Sequence, residues 1–381
     1  MAERYHQYAA SSIMEIDLDA LRANYRAISC QVKPAQCGAV VKADAYGLGA
    51  CRVVPALQRE GCRLFFVAQL CEAISIEPVL GPDCTVYILN GIDPGNEAVC
   101  ADRGFIPVIN SALQLRNWRT LARERGQALP AALQVDSGMS RLGLPAALAA
   151  DFARDASLRR EIDFRLLMTH LACADDPAHS ANRDQLATFS SLSALFPDVP
   201  RSIANSAGSM LAKPFHCDAV RPGIALYGVD PGPGTASLRP VVRLSARVLQ
   251  IREIVAGTGV GYGLTHIAPT AQRLATIAIG YADGWPRSLS GIGAAYFEGT
   301  RLPIAGRISM DSMTVCIDAL TSQTLREGNF VELIGPSQTL ADVARDADTI
   351  AYEILTRTGS RHQRIYSEQG DIEFINPGDL M

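Results

Sequence analysis

The chain has 381 residues, of which 48% are hydrophobic and 19% charged, with a formal net charge of −4. That is enough apolar material for two domains of ~150 residues, or for one large barrel with a smaller unit. The mildly acidic balance offers no footprint for nucleic acid or an anionic membrane, no apolar run approaches the ~20 residues of a spanning helix, and the polar N-terminus lacks the apolar stretch of a secretion signal.

In chain order, short β-rich runs recur, each followed by a helix-like stretch. They are Ala39–Val41, Phe65–Ala68, Thr85–Leu89, Ile106–Ile109, Ala132–Val135, Phe164–Met168, Arg201–Ala204 and Ala219–Ile224. Segments between them, such as Asn110–Ala122, space apolar residues three and four apart, as an amphipathic helix does. Eight strands alternating with helices predict a (β/α)8 barrel of the TIM type, so the fold class is α/β. Near Pro231–Ser237 proline and glycine mark a linker. Beyond it lie strand-like runs without long helices, Val241–Val255, Leu274–Ile279, Ala294–Phe297, Met313–Ile317 and Phe330–Ile334. A short helix follows Thr339-Leu-Ala-Asp342. The expected organisation is a barrel over residues 1–235 and a mainly β domain over 236–381.

The ten cysteines are scattered without a Cys-x-x-Cys pair and read as reduced, small apolar residues of a cytoplasmic protein. The six histidines show no zinc-ligand spacing, so no metal is expected. Barrel enzymes place their chemistry at the carboxyl ends of the strands. Those ends carry Lys42, Asp136 to Arg141, His170, Asn205-Ser206 and Arg221-Pro-Gly223-Ile224. Lys42 closes an apolar run and precedes the glycine-punctuated Ala-Asp-Ala-Tyr46-Gly-Leu-Gly49. An amine there either snorkels to the surface or is desolvated, which lowers its pKa and leaves a nucleophile suited to a Schiff base with an aldehyde. The following turn, able to help hold a phosphate, favours the second reading. A lone arginine at a strand end is often an ion-pair partner. Two arginines, a histidine and a lysine on one rim require a ligand. His179 and His216, in contrast, read as satisfied structural residues.

This combination resembles the alanine racemases from about Ile13 to Tyr366. The specific signatures are Ala39–Ala50, Gly261-Tyr262-Gly263, Gly280-Tyr281-Ala-Asp-Gly284 and Gly306-Arg-Ile-Ser-Met310-Asp311. The resemblance implies a pyridoxal 5'-phosphate enzyme of a barrel followed by a β domain. It implies that Lys42 holds the cofactor and acts as one of two bases. Arg221 would bond the pyridine nitrogen, Arg141 the phenolic oxygen. His170 would link Arg221 to the second base. Tyr46, Ser206, Gly223 and Ile224, with neighbouring Asn205, would form the phosphate shell. Tyr262 would be the second base, supplied by the partner subunit of a homodimer with shared sites. Locally it is only a tyrosine between two glycines, with nothing to separate it from a turn residue. Tyr281, Met310 and Asp311 would reach the substrate side of the partner's site, Met310 through its backbone N–H. With an unprotonated ring nitrogen the cofactor is a weaker electron sink, suited to racemisation, because a guanidinium offers no acceptor and stays charged.

Three positions depart from the family pattern. Gln134 stands where many members carry a carbamylated lysine that steadies the residue matching Arg141. Ser309 replaces a common cysteine, and Ser360 a tyrosine on the cofactor phosphate. The function the resemblance implies is 1,1-proton transfer on alanine, supplying D-alanine for peptidoglycan or serving alanine catabolism. The alternatives are a broad-specificity or serine racemase and an amino-acid decarboxylase of the same architecture. A third, a cofactor carrier without turnover, resembles a lone barrel and would not need the β domain.

Overall fold

The computed structural model describes residues 10–232, 238–320 and 325–377. The end of the expected linker, 233–237, and the N-terminal residues through 9 lie outside them. The chain divides into two compact units, one from Leu21 to Arg239 and one comprising residues up to Ala20 together with Pro240–Met381.

In the first unit, β3 (Ala39–Val40), β4 (Leu64–Val67), β5 (Thr85–Ile88), β6 (Ile106–Ile109), β7 (Leu129–Gln134), β8 (Ile162–Met168) and β9 (Arg201–Ser202) form one parallel sheet in sequence order. The eighth strand, β10 (Ala219–Val220), pairs in parallel with β2 (Gln36–Cys37). Backbone bonds from Gly38 N to Val220 O, Val40 N to Pro222 O and Arg221 N to Ala204 O, each 2.9 Å, carry the ring past β10 and close it. All eight expected strands are therefore present in a (β/α)8 barrel. Their inner and outer residues are both covered, so Phe65, Phe66, Ile88, Val108 and Leu167 are fully buried, as a parallel sheet flanked by helices requires.

The helices follow local signals. Helix Ala112–Arg125 begins at Ser111, whose side chain accepts from Gln114 N, and stops at Gly126 in the left-handed conformation. Its inward stripe is Leu115, Trp118 and Ala122, the three- and four-residue spacing of one helical face.

The second unit is built on β11 (Val242–Ile254), thirteen residues long. Its first half lies between β1 (Ser12–Asp17) and β18 (Phe330–Ile334). After an irregularity between Val248 and Gln250 it pairs instead with β14 (Gln272–Ile277). A bulge re-aims a strand in this way, so one strand serves two sheets. β14 continues to β17 (Met313–Cys316), and β18 to the hairpin of β15 (Ala294–Phe297) and β16 (Thr300–Pro303). On the other flank β1 pairs with β19 (Gln363–Glu368), and β19 with β20 (Asp371–Ile375). A two-rung hairpin of β12 (Gly259–Val260) and β13 (His266–Ile267) stands apart. The helix Leu340–Asp346 starts at a capping box of Thr339 and Asp342.

The boundary expected at residue 1 of the barrel differs from the observed one. β1 belongs to the β unit because its buried residues, Ile13, Met14 and Ile16, are held on both sides by β11 and β19. No local feature marks a strand that finds its partners more than 200 residues away.

Candidate active site

Lys42 follows β3 directly, and Val41 N is fixed to Phe66 O at 2.9 Å. The lysine is half-buried. Loss of water lowers its pKa, the Arg141 charge lowers it further, and Glu72 opposes both. The next four residues, Ala43, Asp44, Ala45 and Tyr46, all have φ between 52° and 58° with ψ near 37–51°. This is a left-handed helical turn closed by Ala45 N to Val41 O at 2.9 Å. For residues with a Cβ it costs roughly 1–2 kcal/mol each, and such strain persists only where the surroundings fix it. The glycine-punctuated turn of the sequence is thus a left-handed coil, with Gly47 and Gly49 continuing at positive φ.

The turn delivers Tyr46 into the barrel mouth, where it is 5% exposed and packs against the Tyr227 ring at 4.9 Å. Tyr227 Oη in turn donates to Val40 O at 3.0 Å. The Tyr46 hydroxyl lies so close to Gly223 that a Cβ there would meet it at 2.3 Å. The Ser206 hydroxyl accepts from Gly223 N at 2.8 Å and Ala225 N at 3.3 Å. It therefore ties the β9 and β10 loops together. Ile224 is fully buried. Asn205 Oδ1 accepts from Gly208 N at 2.9 Å and starts the short 3-10 turn Gly208–Met210.

Arg221, immediately after β10, is 3% exposed. Its guanidinium donates to Ser202 Oγ and, at 2.7 Å, to Thr169 O. Both acceptors are neutral, so burial lowers its pKa to about 10, which still leaves it cationic at neutral pH. His170, half-buried at the end of β8, is pushed down to about 3 by loss of water and by the Arg221, Arg141 and Lys42 charges. It is therefore a neutral imidazole. Gln185 fixes its backbone, donating to His170 O at 2.9 Å while accepting from Ala172 N at 2.8 Å. Arg141 is exposed on a loop folded back on β7. Leu144 N donates to Gln134 O at 2.8 Å, and Asp136 Oδ1 accepts from Gly138, Met139 and Ser140 N at 2.9–3.1 Å. Gln134 ends β7 and is 7% exposed.

The barrel rim thus gathers Lys42, Tyr46, Arg141, His170, Asn205, Ser206, Arg221, Gly223 and Ile224. The supporting acceptors Ser202 and Thr169 and the ring of Tyr227 were not singled out from the sequence, and only their places beside the candidate strand ends could have flagged them. His179 caps the helix Ser180–Ser193, and His216 bonds Leu211 O at 3.0 Å, both structural duties.

The remaining candidates sit in the β unit. Tyr262 is 70% exposed at the tip of the β12–β13 hairpin, between Gly261 and Gly263, both at φ 72°. Gly306, also at positive φ, backs this hairpin; a Cβ there would meet Val260 O at 2.6 Å. Tyr281 and Met310 are also exposed, and their segments are bonded together, Tyr281 N to Ser309 O at 3.1 Å and Ala282 N to Met310 O at 3.0 Å. Gly280 permits that approach, since a Cβ there would overlap Met310 O at 2.3 Å. The half-exposed Arg361 donates to the buried Asp283 and to Asp311, both at 2.7 Å. This bridge between the two loops left no local signal in the sequence.

Residues 16–231 match the description "Alanine racemase, N-terminal domain" and residues 241–366 "Alanine racemase, C-terminal domain". The chain belongs to the alanine racemase family. Among its relatives, the family member from Brucella canis is 51% identical over 372 residues, covering 94% of each chain. A Mesorhizobium japonicum relative named "Alanine racemase, catabolic" is 49% identical, again over 94% of each. The crystal structure of the Bartonella henselae alanine racemase with covalently bound pyridoxal phosphate aligns with a TM-score of 0.91 at 45% identity, covering 94% of this chain and all of that one.

Proposed function

We propose that the chain is an alanine racemase that uses pyridoxal 5'-phosphate, Lys42 and Tyr262 to exchange the Cα proton of alanine. The observation that carries this reading is the meeting of a desolvated lysine, a neutral histidine and two arginines beside a cradle of hydroxyls and backbone N–H groups. Three cations around His170 favour an anionic occupant. Gly223 lets the backbone lie against the Tyr46 hydroxyl, where any side chain would collide with it. The residues therefore fit a phosphorylated aldehyde.

Lys42 would hold the aldehyde carbon through Nζ, Arg221 the ring nitrogen, Arg141 the phenolic oxygen. Tyr46, Asn205, Ser206, Gly223 and Ile224 would hold the phosphate. When bound, the cofactor acidifies the substrate Cα by delocalising charge into its ring. Burial lowers the Lys42 pKa and so favours the free amine that can accept a proton. Tyr262, exposed on its hairpin, would serve the opposite face of Cα from the partner subunit of a homodimer, with Met310 N–H, Tyr281 and Asp311 on the substrate carboxylate side. Its exposure together with that of Leu264 and Ile267 on the same hairpin supports a surface covered by a second copy. Both D-alanine supply for the cell wall and alanine catabolism are compatible with this chemistry.

The test is a chiral assay of the purified enzyme on alanine, serine and other small amino acids, with released carbon dioxide measured alongside. Interconversion of L- and D-alanine without carbon dioxide is expected. Decarboxylation, or no turnover of alanine, would overturn the proposal.

A further inference from the structure

The left-handed turn after Lys42 needs something to hold it, and the side chain that does so lies on another element. Glu72 is the third residue of helix Leu70–Ile76. One of its oxygens does the usual work of that position, accepting from Ala68 N at 2.6 Å and Gln69 N at 3.1 Å. The other oxygen is not needed by the helix. It accepts from Ala43 N at 2.7 Å, the amide immediately after Lys42 and the first residue of the left-handed run. The far end of the run is fixed within its own segment, by Gly49 N to Asp44 O at 2.9 Å and Ala50 N to Asp44 Oδ1 at 2.7 Å. Glu72 thus joins the end of β4 to the start of the turn.

We propose that Glu72 is a positioning residue for the cofactor site, its second carboxylate oxygen locking the Ala43–Tyr46 coil and thereby fixing the spacing between the Lys42 amine and the Tyr46 hydroxyl. This rests on the reading that Lys42 and Tyr46 hold the two ends of the cofactor. A shift of the coil would move one end against the other, and a misplacement of ~1 Å is enough to weaken a fixed geometry. Glu72 is also the anion that opposes the loss of charge on Lys42, so it acts on the lysine by field as well as by shape.

Two substitutions separate this role from helix capping. In Glu72→Gln a single oxygen remains. It is expected to stay with the two helix amides and release Ala43. In Glu72→Asp the charge and the cap are kept, but the shorter side chain does not reach Ala43. For both variants, hydrogen exchange of the peptide spanning residues 42–49 is expected to rise about tenfold in the cofactor-stripped protein, as loss of one charge-assisted hydrogen bond implies. Exchange of the peptide spanning 70–79 should stay within about threefold of wild type, and the pyridoxal phosphate dissociation constant should rise about tenfold. Faster exchange in 70–79 with 42–49 unchanged would reduce Glu72 to a helix cap and overturn the proposal. So would either variant keeping wild-type exchange in 42–49, or faster exchange there with wild-type cofactor affinity. The exchange measurement is made without cofactor. A failure of the Lys42 reading itself would appear instead as cofactor attached at another residue.

Discussion

Adding one methyl group at Gly223 tests how the phosphate cradle is built. Gly223 does not have a left-handed backbone, so Gly223→Ala is free of conformational strain and its effect is steric. The new Cβ would lie 2.3 Å from Tyr46 Oη, 3.0 Å from Tyr46 Cζ and 3.3 Å from Val40 Cβ. To restore ordinary contact the hydroxyl must retreat by about 1 Å. Tyr46 is buried and backed by the Tyr227 ring at 4.9 Å, so it has no open space to enter. Overpacking of this kind costs roughly 1–3 kcal/mol of stability. Displacing the hydroxyl from a charged phosphate removes a bond worth ~1.5–3 kcal/mol, a fall in cofactor affinity of about tenfold to a hundredfold. Titration of the stripped variant with pyridoxal phosphate, followed by absorbance, reads the affinity; urea unfolding reads the stability. Tyr46→Phe added to Gly223→Ala removes the worst contact and should restore part of the stability but none of the affinity. Wild-type affinity and stability in Gly223→Ala would refute the reasoning.

Other outcomes follow from the same site. The folded pKa of His170, about 3, lies below the ordinary value of 6.5. The unfolded chain therefore takes up a proton first as pH falls from 6.5 towards 3, and the stripped protein loses stability over that window, by at most ~5 kcal/mol from this group. In His170→Asn that acid limb should flatten, and an unchanged slope in urea unfolding against pH would show that the ring is not held neutral. Ser202→Ala removes an acceptor from the buried Arg221 guanidinium and should cost ~1.5–3 kcal/mol in urea unfolding; a cost within about 0.5 kcal/mol would mean the bond contributes nothing. Arg361→Met releases Asp311 and leaves Asp283 without its cation, so the Michaelis constant for alanine should rise more than turnover falls, whereas a pure turnover defect would contradict a role in placing the Met310 segment. In deuterated buffer Tyr262→Phe should slow proton loss from only one enantiomer of alanine, and equal losses from both would contradict the two-base assignment.

Much of the barrel was readable because its strands carry their signal locally. Most of the eight runs are short and largely apolar and are followed by a helical period, and the polar residues at or just beyond their ends mark the rim without any knowledge of pairing. Lys42, Arg141, His170 and Arg221 emerged in that way. What was not readable depends on distant partners or on backbone energetics. β1 is apolar and could have begun the barrel, yet it is captured by β11 and β19. The β12–β13 hairpin has only two rungs, and the two glycines beside Tyr262 suggest a turn without saying what it presents. Nothing in Ala43-Asp-Ala-Tyr46 favours a left-handed coil. That conformation exists because Glu72 and Asp44 accept its amides and those of its neighbours, and Glu72 looks from its own segment like a helix-capping residue. The Asp283–Arg361–Asp311 bridge likewise joins loops separated by up to 78 positions.

Hydride reduction of the purified, cofactor-replete enzyme, followed by peptide mapping, tests most directly that the amine ending β3 is the point of cofactor attachment. A pyridoxyl phosphate mass added to the peptide containing Lys42, and lost in Lys42→Ala, is the expected result. A protein that carries no adduct, or carries it on a different lysine, would contradict it.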